Sequence, residues 1–219
     1  MPDTLDFQQI LRSPTTTYEE GLRFFSGQGL VNQTLKQLDR DSEERGIDYA
    51  VIGAIALNQH GYQRFTFDIA ILLTKEGLAR FQTELVGRGY RPSFPSATRK
   101  FRATQENVPI EIITAGEFPG DGKPKAVSFP DPAQAQVEID GVQTVPLATI
   151  VELKLASGMT GLGRRKDLAD VQELVRALKL DAAFSNSLDE SVRAIYLELW
   201  NELEEARLQQ DAPDAEREE

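Results

Sequence analysis

Cysteine is absent from this chain of 219 residues, and histidine occurs once, at His60. The first absence excludes disulfide staples, thiolate nucleophiles, thiolate zinc sites and iron–sulfur clusters. The second excludes a metal site built from several histidines of one chain. No apolar run approaches the roughly 20 residues that cross a bilayer. The longest, Tyr49 to Leu57, is short and interrupted by Gly53. The stretch MPDTLDFQQI carries neither a basic leader nor an apolar signal core, so a soluble, cytoplasmic protein without a membrane segment is expected. Any chemistry must therefore run on carboxylates, lysine, arginine, hydroxyls and backbone amides.

What is present is enough apolar sequence, 40% of residues, for one domain or one and a half with a buried core. Charge is unevenly spread. Glu202 to Glu219 hold eight acidic and two basic side chains, a net of −6, so the other 201 residues carry only −5 of the total −11. The terminal DAPDAEREE reads as a solvated, disordered tail. An acidic total disfavours broad nonspecific nucleic-acid binding. Two basic clusters, Arg99, Lys100 and Arg102 and then Arg164-Arg165-Lys166, offer a phosphate or RNA track if both border one cleft.

Residues 3–13 suit a short helix, broken by the run SPTTT. Val31, Leu35 and Leu38 recur at helical spacing in 30–45, and Gly46 ends that helix. A buried strand is expected over 47–52, a short helix over 54–59 and a second strand, rich in aromatic and β-branched residues, over 65–73. A helix over 75–87 follows, then strands over 99–104 and 108–114, forming a hairpin over Gln105-Glu106-Asn107. Residues 115–125 read as a loop, and 137–145 as a hairpin turned at Asp140-Gly141. Helices close the chain over 147–157, 167–178 and 188–207. The expected fold class is α/β (α+β), a mixed sheet followed by a helical C-terminal portion.

Strand, glycine turn, short helix, then a strand carrying an acid is the informative order. Gly53 sits where a strand hands over to a helix, and free amides there attract phosphate. Asp68 falls among Phe67, Ile69, Ile71 and Leu72, and Glu111 among Ile110, Ile112 and Ile113. A buried carboxylate needs a metal, a cation or a hydrogen-bonded niche. If the two strands are neighbours, the two acids face each other; the alternative is a strand edge where an acid meets water. Lys154 lies in a stripe with Leu147, Ile150, Val151 and Leu155, so it must snorkel, pair with a structural carboxylate or meet an anion. Asp167 either caps its helix or points to the site, and Asp170 sits at the edge of the apolar stripe. His60 is more readily a structural hydrogen-bonding residue than a base. Gly161-Leu162-Gly163 is a helix connection, because no phosphate-loop lysine and hydroxyl follow it.

Gly53, His60-Gly61, Arg64, Thr66 and Asp68, within YAVIGAIALNQHGYQRFTFDIAILL, together resemble the nucleotidyltransferase superfamily, and within it the abortive-infection (AbiE-type) nucleotidyltransferase toxins. VELKLASGMTGLGRRKDLADVQEL, over 151–174, supplies the second part of the likeness, which covers about residues 47–178. Two departures stand out. Ala54 follows Gly53 where the family has glycine or a hydroxyl, and Ala70 replaces the second acid of its Asp-x-Asp strand. Strand alternation puts positions 68 and 70 on one face, which is how such a pair grips metal.

The resemblance implies a nucleotidyltransferase-like sheet and Mg²⁺-dependent (or Mn²⁺-dependent) transfer of a nucleoside monophosphate from an NTP to a hydroxyl, on RNA such as a tRNA end. Asp68 and Glu111 would hold metal, Lys154 would touch phosphate, and Asp167 and Asp170 would assist. Gly53, Ala54, Arg64, Thr66 and Lys154 would border the nucleotide, and a cognate antitoxin would be a partner. Ala54 and Ala70 point to impaired transfer. The alternative is a catalytically silent nucleotide-binding or protein-interaction module on the same fold. The expected organisation is an N-terminal helical segment over 1–46, the α/β core over 47–146, a helical portion over 147–208 and the acidic tail over 209–219.

Overall fold

The computed structural model describes residues 7–211. The expected beginning of the first helix and the final residues of the acidic tail, 212–219, lie outside the described residues. The chain divides into two compact units. The first runs to Glu117 and resumes over Phe129–Ile150, and the second comprises Phe118–Ser128 and the chain from Val151 onward.

The first unit begins with three helices, α1 (Phe7–Ile10), α2 (Pro14–Phe25) and α3 (Leu30–Glu43). The run SPTTT does break α1, yet it also starts α2. Ser13 stands at the N-cap position and Pro14 in the first turn, where its missing N–H costs nothing. Glu20 of α2 is buried and accepts the Leu30 N–H at 2.5 Å, which joins α2 to the start of α3.

β1 (Ala50–Ile52), α4 (Ala54–Gln59), β2 (Ile69–Leu73) and α5 (Lys75–Arg80) follow, the last extended by a π turn over Phe81–Leu85. Next come β3 (Tyr90–Pro92), β4 (Lys100–Ala103), β5 (Pro109–Thr114), α6 (Pro132–Ala135), β6 (Val137–Ile139) and β7 (Val142–Thr144). The strands form one seven-stranded sheet in the order β3-β4-β5-β2-β1-β7-β6. It is mixed: β2 runs parallel to β5 and β1 parallel to β7, while the other neighbours are antiparallel. Both expected hairpins form. Asp140 and Gly141 take φ of 51° and 74°, the left-handed pair that a tight two-residue turn requires. β3 was not anticipated; it is three residues long and contains proline, so it carries little strand signal.

Register decides which side chains are buried. Ile69, Ile71, Ile110, Ile112 and Phe101 lie on one face and are at most 2% exposed. Phe81 packs on that face, its ring 5.2 Å from Tyr90 and 5.0 Å from Phe101. Tyr90 donates its hydroxyl to Asp41 of α3 at 2.8 Å. Burial first, and then Asp41, hold the Tyr90 phenol well above its ordinary pKa.

α7 (Leu147–Gly158) runs across the division of the chain, and α8 (Arg165–Leu178) and α9 (Glu190–Asp211) complete the second unit. Its core is Val151, Leu155, Val171, Leu174, Val192 and Tyr196. The architecture is thus the expected one, a mixed α/β sheet with flanking helices and a helical C-terminal portion. No described helix is long and apolar enough to cross a membrane.

Gly158 closes α7 against α8. A Cβ there would overlap the Leu168 side chain and come 3.2 Å from its backbone nitrogen. Alanine ordinarily favours a helix over glycine by up to about 1 kcal/mol. Here the overlap wins, and Gly158→Ala is expected to cost about 1–3 kcal/mol in urea unfolding.

Candidate functional site

Two clusters hold the expected site residues, one in each unit. In the first unit, β2 and β5 are parallel neighbours with Ala70 opposite Glu111, so both point to the same sheet face. Asp68 lies two residues before Ala70. It is exposed and precedes the strand, which corrects the expectation of a carboxylate buried within 65–73. Thr66, buried at 8% exposure, donates its hydroxyl to Asp68 Oδ1 at 2.6 Å. The acid has its hydrogen-bonded niche and keeps access to water. Ahead of it, the Phe65 and Phe67 rings meet edge to face at 4.7 Å.

Glu111 is also exposed, with Lys100 Nζ 3.6 Å away across the β4–β5 pair. The water-facing alternative considered for this acid is therefore the one observed. Lys100 belongs to a basic strand whose other cations are engaged as well. Arg99 grips Glu117 with two bonds of 2.6 Å, and Arg102 donates to the Asn107 carbonyl at 2.8 Å.

Gly53 caps α4 at φ 75° and ψ −143°, a conformation that only glycine adopts without strain. A side chain at 53 would make ordinary contact with the Ala70 Cβ at 3.6 Å, so backbone conformation is the reason for glycine here. Gly53, Ala70 and Glu111 thus border one strip of the sheet, with Ala54 next in the chain to Gly53 and Asp68 two residues before Ala70. α4 has only six residues, and its dipole is correspondingly weak. Arg64 is tied to α4 through its backbone, where Asn58 bonds both its N–H and its carbonyl, at 2.9 and 2.6 Å. His60 Nε2 lies 2.8 Å from the Val145 carbonyl, which makes it the donor of a structural bond.

In the second unit, Lys154 on α7 donates to Asp170 on α8 at 2.6 Å and stands 3.9 Å from Asp167. The lysine is thus paired with a carboxylate. Asp167 does not cap α8; it accepts the Ser157 hydroxyl at 2.6 Å, and Arg164 stands 3.9 Å away. Ser157 was not anticipated. Its place three residues after Lys154, on the same side of α7, was the available signal.

A divalent metal implied by the resemblance fits this donor set poorly. Positions 68 and 111 supply two carboxylates, and opposite Glu111 stands the methyl group of Ala70. Among the described residues no group of three or more histidines, cysteines, aspartates or glutamates is placed to hold a metal ion. Two-metal phosphoryl transfer needs more oxygen ligands than that.

No family model matches the chain, and no curated protein matches it either. Solved structures similar in fold include two provisionally assigned as nucleotidyltransferases. A provisionally assigned nucleotidyltransferase from Helicobacter pylori is 12% identical with a TM-score of 0.41, over 83% of this chain and 96% of that one. The Thermotoga maritima protein TM1012, assigned in the same way, is 17% identical with a TM-score of 0.40, over 66% of this chain and 91% of its own. The antibiotic-resistance factor ANT(2'')-Ia is 14% identical with a TM-score of 0.41, over 81% and 94%. At such identities and TM-scores the likeness carries no weight for function, which rests on the residues of the two clusters.

The two ion pairs differ in burial, and their energies should follow. The side chains of Lys154 and Asp170 are 17% and 18% exposed, those of Lys100 and Glu111 60% and 48%. Asp170→Asn is expected to lower urea-unfolding stability by about 1–3 kcal/mol, the range for a charged hydrogen bond shielded from water. Lys100→Ala should cost no more than about 0.5 kcal/mol in the same assay.

Proposed function

We propose that this chain is a nucleotidyltransferase-type protein that binds a nucleoside triphosphate along the Gly53–Ala70 strip and is impaired in passing the nucleoside monophosphate to a hydroxyl acceptor. One observation carries the reading: Ala70 stands in register with Glu111, two residues from Asp68 and against Gly53. A carboxylate at 70 would share the face of Glu111. In its absence, two exposed carboxylates, one held by Thr66 and one beside Lys100, remain to manage phosphate chemistry.

The resemblance adds finer parts to the proposal: RNA, including a tRNA end, as acceptor, Mg²⁺ or Mn²⁺ as cofactor, and a cognate antitoxin as partner. Lys154, Asp167 and Asp170 enter it from the resemblance alone, as candidate polar groups for phosphate. A silent nucleotide-binding module on the same fold is the second reading. It is favoured by Ala54 and Ala70, which stand where the resemblance calls for a phosphate-holding residue and a second acid.

Label transfer from each α-labelled NTP to bulk RNA, with Mg²⁺ or Mn²⁺, separates the two. The Ala70→Asp protein is expected to exceed the parent by on the order of tenfold or more, and Asp68→Ala should remove the transfer in both backgrounds. Transfer by the parent as strong as by Ala70→Asp would overturn the impairment. Silence from both, with NTP binding retained in calorimetry and weakened in Lys154→Ala, would establish the silent module. Absence of NTP binding would end the nucleotide reading altogether.

A further inference from the structure

On the opposite side of the sheet from Ala70 and Glu111, a cavity of about 550 Å³ opens between α3 and the β3–β4 edge. The placement follows from register. Tyr90 pairs with Ala103, and Phe101, two residues from Ala103, pairs with Ile110, so Tyr90 and Ala103 share the face of Ile110 and not that of Glu111. The cavity is large enough for a small metabolite.

Its chemistry is polar and cationic. Lys36 and Arg40 from α3 and Arg88 from the turn before β3 line it, against two acids, Asp41 and Glu106. Asp41 is already engaged, by the Tyr90 hydroxyl at 2.8 Å and by Arg45 at 3.5 Å. The side chains left to meet a ligand therefore sum to about two positive charges, in a chain whose total is −11. Lys36 makes no ion pair among the described residues. Arg40 spends one guanidinium nitrogen on Gln37, at 2.7 Å, and Arg88 one on the Glu84 carbonyl, at 3.4 Å. A second observation is independent of charge. Thr34, on the same wall, is 1% exposed, and its hydroxyl has no hydrogen-bond partner among the described residues. Buried hydroxyls are almost always paired, so Thr34 is a polar group that the fold leaves unanswered behind the cavity wall.

We propose that this cavity binds a small phosphorylated organic molecule, at a site separate from the Asp68–Glu111 strip. Two guanidinium forks and an ammonium match the charge and geometry of a phosphate dianion. Gln33, Gln37 and Gln105 suit the hydroxyl groups of a sugar-like body.

Calorimetry of the full chain with ribose 5-phosphate tests this, because that probe has neither a base nor a triphosphate for the strip. Binding in the millimolar range or tighter is expected, with none for ribose alone. Lys36→Ala combined with Arg40→Ala changes two exposed residues and should weaken binding about tenfold or more without altering the thermal melt. The proposal is overturned by no binding up to about 10 mM, by unchanged affinity in the double variant, or by equal affinity for inorganic phosphate. It is also overturned if Glu111→Ala abolishes the binding, which would place the sugar phosphate on the strip. The label-transfer result bears on none of these outcomes.

Discussion

Parallel pairing of β2 with β5 sets Ile69, Ile71, Ile110 and Ile112 into the core and, by alternation, sends Ala70 and Glu111 to the other face. Burying each of those isoleucines stabilises the unit by about 1.5–3 kcal/mol. A slip of one residue would turn Glu111 inward and an isoleucine outward, so the register is held by the core and not by the site. The polar strip of Gly53, Ala70, Asp68 and Glu111 is thus a by-product of packing on the reverse face. A change at position 70 alters the chemistry of the strip without touching the residues that hold the strands in place.

The second unit follows a different logic. There the polar residues hold the elements together: Lys154 with Asp170, and Ser157 with Asp167, tie α7 to α8. Gly158 lets the two helices approach more closely than a methyl group would allow. A lysine in an apolar helix stripe is costly unless its charge is answered, and Asp170 answers it. The motif that resembles a phosphate-handling helix pair is, in this unit, first a structural clasp. Any anionic ligand must compete with Asp170 for the same ammonium.

Much of the fold was legible in the sequence. Helical spacing located α3, α8 and α9; apolar runs located β1 and β5; Asp140-Gly141 located the β6–β7 turn. The misses have physical causes. Pro14 was read as a breaker when it opens a helix, because a helix's first turn spends no N–H on hydrogen bonds. β2 begins at Ile69, four residues later than its apolar run suggests, so Asp68 lies outside the strand. Hydrophobicity alone does not tell a strand from an aromatic cluster, and Phe65 and Phe67 pack as rings ahead of it. The cavity lined by Lys36, Arg40 and Arg88 could not be read at all, since it joins positions about fifty residues apart.

By itself the sequence determined the residue types available for chemistry, the period of each element and the presence of Ala70 between two acids. Those properties are local, set by side-chain identity and a few neighbouring residues. Tertiary structure alone decided that Ala70 stands beside Glu111, that Asp170 claims Lys154, and that Thr34 is left without a partner. Such facts depend on which distant segments pack together, and that choice belongs to the energy of the whole core.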